Sequence, residues 1–217
     1  MRAMLRKETR LAALPLAYLF TAFGLMSLIP GYPVLCGYFF VTLGIFQSFL
    51  SAREAGDVLY TALLPVSKRD AVKGKYLFAV LIEGCGFLIS AAATALRMTV
   101  FSGSSVYREN ALMNANLFCL GAGLFIFGLF NAIVVGGFFK TAFRLGVPFV
   151  IYSCSAFVTI GIAESLHHFP GLDCLNAFGT DRILLQSSLL FAGALLYAAL
   201  TFFSYRKACA DFEKVDL

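Results

Sequence analysis

Residues 57–76 read DVLYTALLPVSKRDAVKGKY, the longest polar interruption in a mostly apolar chain. Ahead of Pro65, the residues Ala55, Leu59, Ala62 and Leu63 recur at helical spacing, with Glu54, Asp57 and Thr61 on the other side. The spacing predicts a short amphipathic helix, too short to cross a membrane. Pro65 ends it, because proline has no amide proton and biases Leu64 out of the helical region. Ser67, with Asp70 three residues on, has the pattern of a capping box, which satisfies orphan amides where a new helix starts. That helix carries Lys68, Arg69, Lys73 and Lys75 in its first turns and then runs into apolar sequence. The chain therefore lays a short helix near a membrane surface, turns at Leu64-Pro65-Val66-Ser67, and enters the apolar phase.

The flanking sequence is too apolar for a soluble domain. Of 217 residues, 60% are hydrophobic and 13% charged, with a mean hydropathy of +0.84. Soluble domains carry about 25% charged residues. Apolar windows long enough for a ~30 Å hydrocarbon core fall at residues 11–29, 34–52, 77–96, 113–139, 147–166 and 183–204. The reading is an all-α membrane protein, a single polytopic domain over 1–217 with six transmembrane helices. Residues 1–10 precede them as a short amphipathic helix, with Met1, Met4, Leu5 and Leu11 set against Arg2, Arg6 and Arg10. A secretory signal does not fit, since the apolar stretch runs on to Ile29 and no soluble domain follows. Residues 53–76 form the elbow between spans two and three. Tyr205 onward reads as a charged tail.

The formal charge of +5 lies in the connections rather than on a nucleic-acid-binding face. Lysine and arginine number four in the amino end, five in residues 53–75, two at Lys140 and Arg144, and three in the tail. The other side holds only Arg97, Arg108 and Arg182. This positive-inside asymmetry puts the 57–76 segment and both termini in the cytoplasm. The cysteines at 36, 85, 119, 154, 174 and 209 stand singly, supporting neither a disulfide framework nor a zinc site. Gly74-Lys75 is not a phosphate loop, because Arg69 replaces the earlier glycine and Tyr76 the required Ser or Thr. His167-His168, with Glu164 and Asp173 nearby, lacks metal-ligand spacing, and no serine sits in a GxSxG setting. The chain carries no catalytic, cofactor or metal motif, so the catalytic half of any machine here is expected on another polypeptide.

Two features inside the spans are candidates for a translocation path or a subunit interface. Glu83, Ser90, Thr94 and Arg97 fall near one face of the third span, beside Gly86. An ionisable group at that depth is costly unless it faces protein or water, so the stripe marks a path, a partner, or a glutamate hydrogen-bonded to neighbouring helices. Gly128, Ala132 and Gly136 form a small-xxx-small ridge on the fourth span, with Asn131 beside it.

The run LYTALLPVSKRDAVKGKYL, with Asp57 ahead of it, resembles a signature of the small six-span membrane subunits of bacterial type-2 ABC exporters. The resemblance is specific over this segment and elsewhere rests on hydropathy. It implies that Asp57, Tyr60, Leu64, Pro65, Val66, Ser67, Lys68, Arg69 and Lys75 couple to a separate ATPase subunit that holds ATP and magnesium. It also implies a second permease subunit, identical or related, in a bacterial plasma membrane, and export of a peptide or lipophilic compound. Two readings from other classes stand beside it. One is a six-span substrate-binding or secondary-transport module without an ATPase, which needs polar groups converging at the midplane or broken helices in the spans. The other is a membrane protein that only binds partners. The charge asymmetry is tested by single-cysteine variants at Lys68 and Ser104, which should react with an impermeant reagent from opposite sides. Labelling of both from outside intact cells would contradict the six-span topology.

Overall fold

The computed structural model describes residues 2–141 and 143–215; the side chains of residues 2, 3, 58, 59 and 62 also lie outside the description. The expected apolar positions Met1, Leu59 and Ala62 therefore fall outside it. All regular structure among the described residues is helical. Helix α1 (Arg2–Lys7) runs into a π-helical turn, Glu8–Ala12, and the chain then bends by 95°. Leu14 is extended and Pro15 opens α2 (Pro15–Phe20), the position where a missing amide costs nothing. The expected span over 11–29 is thus corrected: Leu11 and Ala12 belong to the amino-terminal helix, and the span starts at Pro15.

Helix α2 continues as a 3₁₀ helix over Thr21–Leu28, eight residues where three or four are usual. Six α-helical and eight 3₁₀ residues span about 25 Å, so the tighter winding stretches a short segment most of the way across a bilayer. Glycines let this segment lie against its neighbours. A Cβ on Gly24 would meet the Gly86 carbonyl oxygen at 2.6 Å, and one on Gly37 would meet that of Phe23 at 2.6 Å. Gly37 opens α3 (Cys36–Glu54), which leads through Gly56 to α4 (Asp57–Leu63). Gly56 caps α4 at φ +69°, a conformation that favours glycine.

After the turn at 64–67, α5 (Lys68–Thr99) is one unbroken helix of 32 residues, about 48 Å long. It exceeds the hydrocarbon core, so its first turns project beyond it. A four-residue helix, α6 (Ser105–Arg108), lies in the following loop. Helix α7 (Leu117–Phe130) starts at Asn116, whose side chain accepts from the Cys119 amide. Residues 113–116, expected in the fourth span, therefore belong to the loop. A π-helical turn, Asn131–Val135, joins α7 to α8 (Gly136–Lys140). Next come α9 (Gly146–Leu166) and α10 (Ile183–Glu213). The stretch from Tyr205, expected as a tail, is the end of α10 and returns to the start of α5.

The interior is dominated by aromatic rings, with Phe49, Phe78, Phe127, Phe130, Phe138 and Tyr152 fully buried. The closest crossing joins α7 and α10, where a Cβ on Gly193 would fall 2.3 Å from the Gly121 carbonyl oxygen. Among the described residues, four helices are long and apolar enough to cross a membrane: α5, α7–α8 together, α9 and α10. The bent amino-terminal pair makes a fifth if it is counted as one span. Helix α3 is not among them, because Gln47, Ser48, Ser51, Arg53 and Glu54 dilute its hydropathy.

Candidate functional site

The segment 57–76 is organised by four charges that have left water together. Glu8 gives Oε1 to Lys7 at 2.9 Å and Oε2 to Lys75 at 2.7 Å. Asp57 likewise gives Oδ1 to Lys7 and Oδ2 to Lys75, the latter at 2.9 Å. The result is a closed ring of alternating sign and zero net charge, its side chains between 2% and 11% exposed. Lys7 donates its third hydrogen to Thr61 Oγ1 at 2.8 Å, and the Lys75 ammonium sits 5.4 Å from the Phe49 ring centre. A lone buried charge would be prohibitive; here each carboxylate oxygen and each ammonium is matched. Burial pushes the Asp57 carboxyl up, but Lys75 and Lys7 outweigh it and hold it below the usual carboxylate range.

Three elements meet at this ring. Lys7 and Glu8 come from the amino-terminal helix, Asp57 and Thr61 from α4, and Lys75 from α5. Gly74 permits the contact, since a Cβ there would already be 3.3 Å from Met4 Cβ. Helix α4 consequently turns its polar face inward and leaves Tyr60 and Leu63 outward, the latter 86% exposed. Leu64 is extended at φ −79°, ψ 149°, as a residue before proline should be. Ser67 caps α5, accepting from the Asp70 amide at 3.1 Å and donating to Asp70 Oδ2 at 2.8 Å. Pro65 and Val66 are exposed at the turn.

Lys68 and Arg69 point to the end of α10. Lys68 donates to the Val215 carbonyl at 2.6 Å, and Arg69 Nε lies 2.7 Å from Glu213 Oε1. That pair is 71% and 47% exposed, so it is a weak tie compared with the ring. The sequence had placed Asp57 and Lys75 in the segment without their partners, Lys7 and Glu8. Those two sit in an amphipathic stretch whose charges read as solvated, and only the fold brings them across 49 or more residues.

The stripe on α5 faces neighbouring helices of the same chain. Tyr76, Glu83, Ser90 and Arg97 recur every seven residues, and all four are buried. Tyr76 shares a hydrogen bond with Ser204 at 2.6 Å and donates to the Asn131 carbonyl at 3.4 Å. Glu83 Oε2 accepts from Asn131 Nδ2 at 2.9 Å and from the Tyr197 hydroxyl at 2.8 Å. Ser90 meets Tyr38 at 2.7 Å, and Arg97 donates to the Ser27 carbonyl and to Asn114. Thr94 is buried beside them. Among the described residues, Glu83 Oε1 and Asn131 Oδ1 have no hydrogen-bond partner. The ridge also packs within the chain: Gly128 faces Tyr197 and Leu200, Gly136 faces Ser204 and Tyr76, and Ala132 lines a groove beside α10.

A family model described as "ABC-2 family transporter protein" matches residues 3–213. No curated protein and no solved structure matches the chain.

The ring makes a sharp prediction. Lys75→Met leaves Glu8 and Asp57 sharing one cation and should cost about 3–5 kcal/mol, whereas Lys75→Met with Asp57→Leu removes one charge of each sign and recovers most of it. Because Asp57 is depressed, its contribution is present above the ordinary aspartate value of 3.8 and is lost as pH falls below it. Thermal unfolding in detergent and proteolysis of the amino-terminal helix report both effects. An unchanged melting temperature in Lys75→Met would show that the ring holds nothing.

Proposed function

We propose, since this chain belongs to the ABC-2 transporter family, that it is the permease subunit of an ATP-driven exporter. Members of the family are membrane components of transporters, so hydrolysis would fall to a separate ATPase carrying ATP and magnesium. The functional unit pairs two permease subunits, identical or related, with two ATPases in a bacterial plasma membrane. Six spans with both termini cytoplasmic agree with the basic asymmetry. Helix α3 then serves as the second span, and its modest hydropathy suits a helix whose Thr42 and Ser48 face protein rather than lipid. The cargo is a peptide or a lipophilic compound.

One observation supports the coupling role most strongly: α4 offers Tyr60 and Leu63 outward while its polar face is bound to α1 and α5. An apolar pair standing clear of its own bundle is suited to a partner's groove. A push on that pair reaches α5 without loss, because the ring makes α1, α4 and the start of α5 one body. The solvent-exposed Arg69–Glu213 pair is the tie to the end of α10 that can slide. ATP selects between inward and outward states only through a subunit that binds it differently in each.

The test is co-expression with the partner ATPase, pull-down, and transport measured together with ATP hydrolysis in lipid. Tyr60→Ser with Leu63→Ser should lose the ATPase, and Pro65→Ala should retain it yet transport less per ATP. Arg69→Glu should weaken transport and be rescued by Glu213→Arg. If all three bind and transport as the parent does, the segment is an ordinary loop and the coupling reading fails.

A further inference from the structure

Helices α9 and α10 stand apart at the end of the bundle that carries the 57–76 turn, with a groove between them floored by α8. Its volume is about 640 Å³. Small residues hollow it out, with Ala132, Gly136, Gly137 and Ala199 contributing almost no side chain, while Ile151 and Phe203 supply apolar walls. Along α10 it runs from Leu196 to Asp211, about 22 Å. Half of a ~30 Å hydrocarbon core is about 15 Å, so the groove reaches from near the midplane past the headgroup boundary. A single lipid acyl chain fits along it.

The mouth says which lipid. Lys140 and Lys207 flank it, and among the described residues neither makes an ion pair. Asp211 lies four residues beyond Lys207 on the same helix, the less favoured order for an ion pair at that spacing. No such pair is present, and among the described residues Asp211 Oδ2 is buried without a hydrogen-bond partner. Two cations and one unsatisfied carboxylate converge on the open end of an apolar slot. Thr141 and Ser204 add nothing to this set, since their hydroxyls are engaged with the Gly137, Arg144 and Asn131 carbonyls.

We infer that this groove is a binding site for one amine-bearing phospholipid of the phosphatidylethanolamine type. Its phosphodiester bridges Lys140 and Lys207, its ammonium donates to Asp211, and one acyl chain fills the slot between α9 and α10. A purely anionic lipid would satisfy the lysines and leave Asp211 repelled. A choline headgroup carries no N–H and cannot satisfy the Asp211 oxygen. The site lies apart from the ring and from the exposed face of α4, and it stands whether or not 57–76 couples to an ATPase.

Native mass spectrometry of the full chain in detergent tests this with phosphatidylethanolamine, phosphatidylglycerol and phosphatidylcholine of identical acyl chains. The parent should retain the ethanolamine lipid about tenfold or more over the choline lipid. Lys140→Gln with Lys207→Gln should remove that retention, and Asp211→Asn should bring the ethanolamine lipid down to the choline level. Ala199→Phe fills the slot with the charges intact and should weaken binding of every lipid, while circular dichroism shows unchanged helix content. Equal retention of the three lipids by the parent would overturn the assignment. So would preferential phosphatidylglycerol binding that ignores Asp211→Asn, or full retention in the double lysine variant.

Discussion

Charge cannot be taken out of water singly, and the 57–76 segment depends on that constraint. Lys75 lies in the first turns of a long apolar helix, Asp57 on a short helix across a proline turn, and Lys7 and Glu8 in the amino-terminal helix. Each would be costly if buried alone. Together they cancel in alternating order, and cancellation fixes where all three helices lie. A hydrophobic contact between the same elements would tolerate sliding, because apolar attraction is non-directional. Four paired charges, with Lys7 also donating to Thr61, tolerate little. The inward polar face and outward apolar face of α4 follow directly.

From this ring α5 carries a polar contact every two turns. Tyr76 and Glu83 both reach Asn131 and α10, Ser90 binds Tyr38 on α3, and Arg97 binds the loop before α7 at the far end. A seven-residue repeat drifts slowly around a 3.6-residue helix, so successive contacts reach successive neighbours. In a low-dielectric interior these bonds choose partners where apolar packing alone would not. Glu83 is the least satisfied of them, with one oxygen unpaired beside a π-helical turn. A helix tied at regular depths moves as a unit or not at all.

Much of this is written in the sequence, for identifiable reasons. Pro65 and the Ser67 cap act through their own backbone, so the break between α4 and α5 is legible from local residues. The α5 stripe is legible because helical spacing puts its members on one face. What local reading misses comes from distant packing. The 3₁₀ stretch at Thr21–Leu28 is set by Gly24 lying on the α5 backbone, and nothing within residues 21–28 announces it. Tyr205 onward continues α10 because Ala208 and Phe212 pack into the core, Phe212 against Phe139 and Phe143, although its charge suggests a tail. Lys7 and Glu8 give no sign of burial, since partnered and solvated charges look alike in sequence.

The central claim is that α1, α4 and the start of α5 move as one body against the end of α10 when ATP binds the partner subunit. Distances between paired spin labels in the reconstituted complex, with and without trapped ATP, address it directly. Labels at Arg6 and Leu63 lie within the body, and labels at Leu63 and Lys207 straddle the exposed contact. The account predicts that the first distance holds while the second shifts with nucleotide. A first distance that changes while the second stays fixed would contradict it, as would two distances indifferent to ATP.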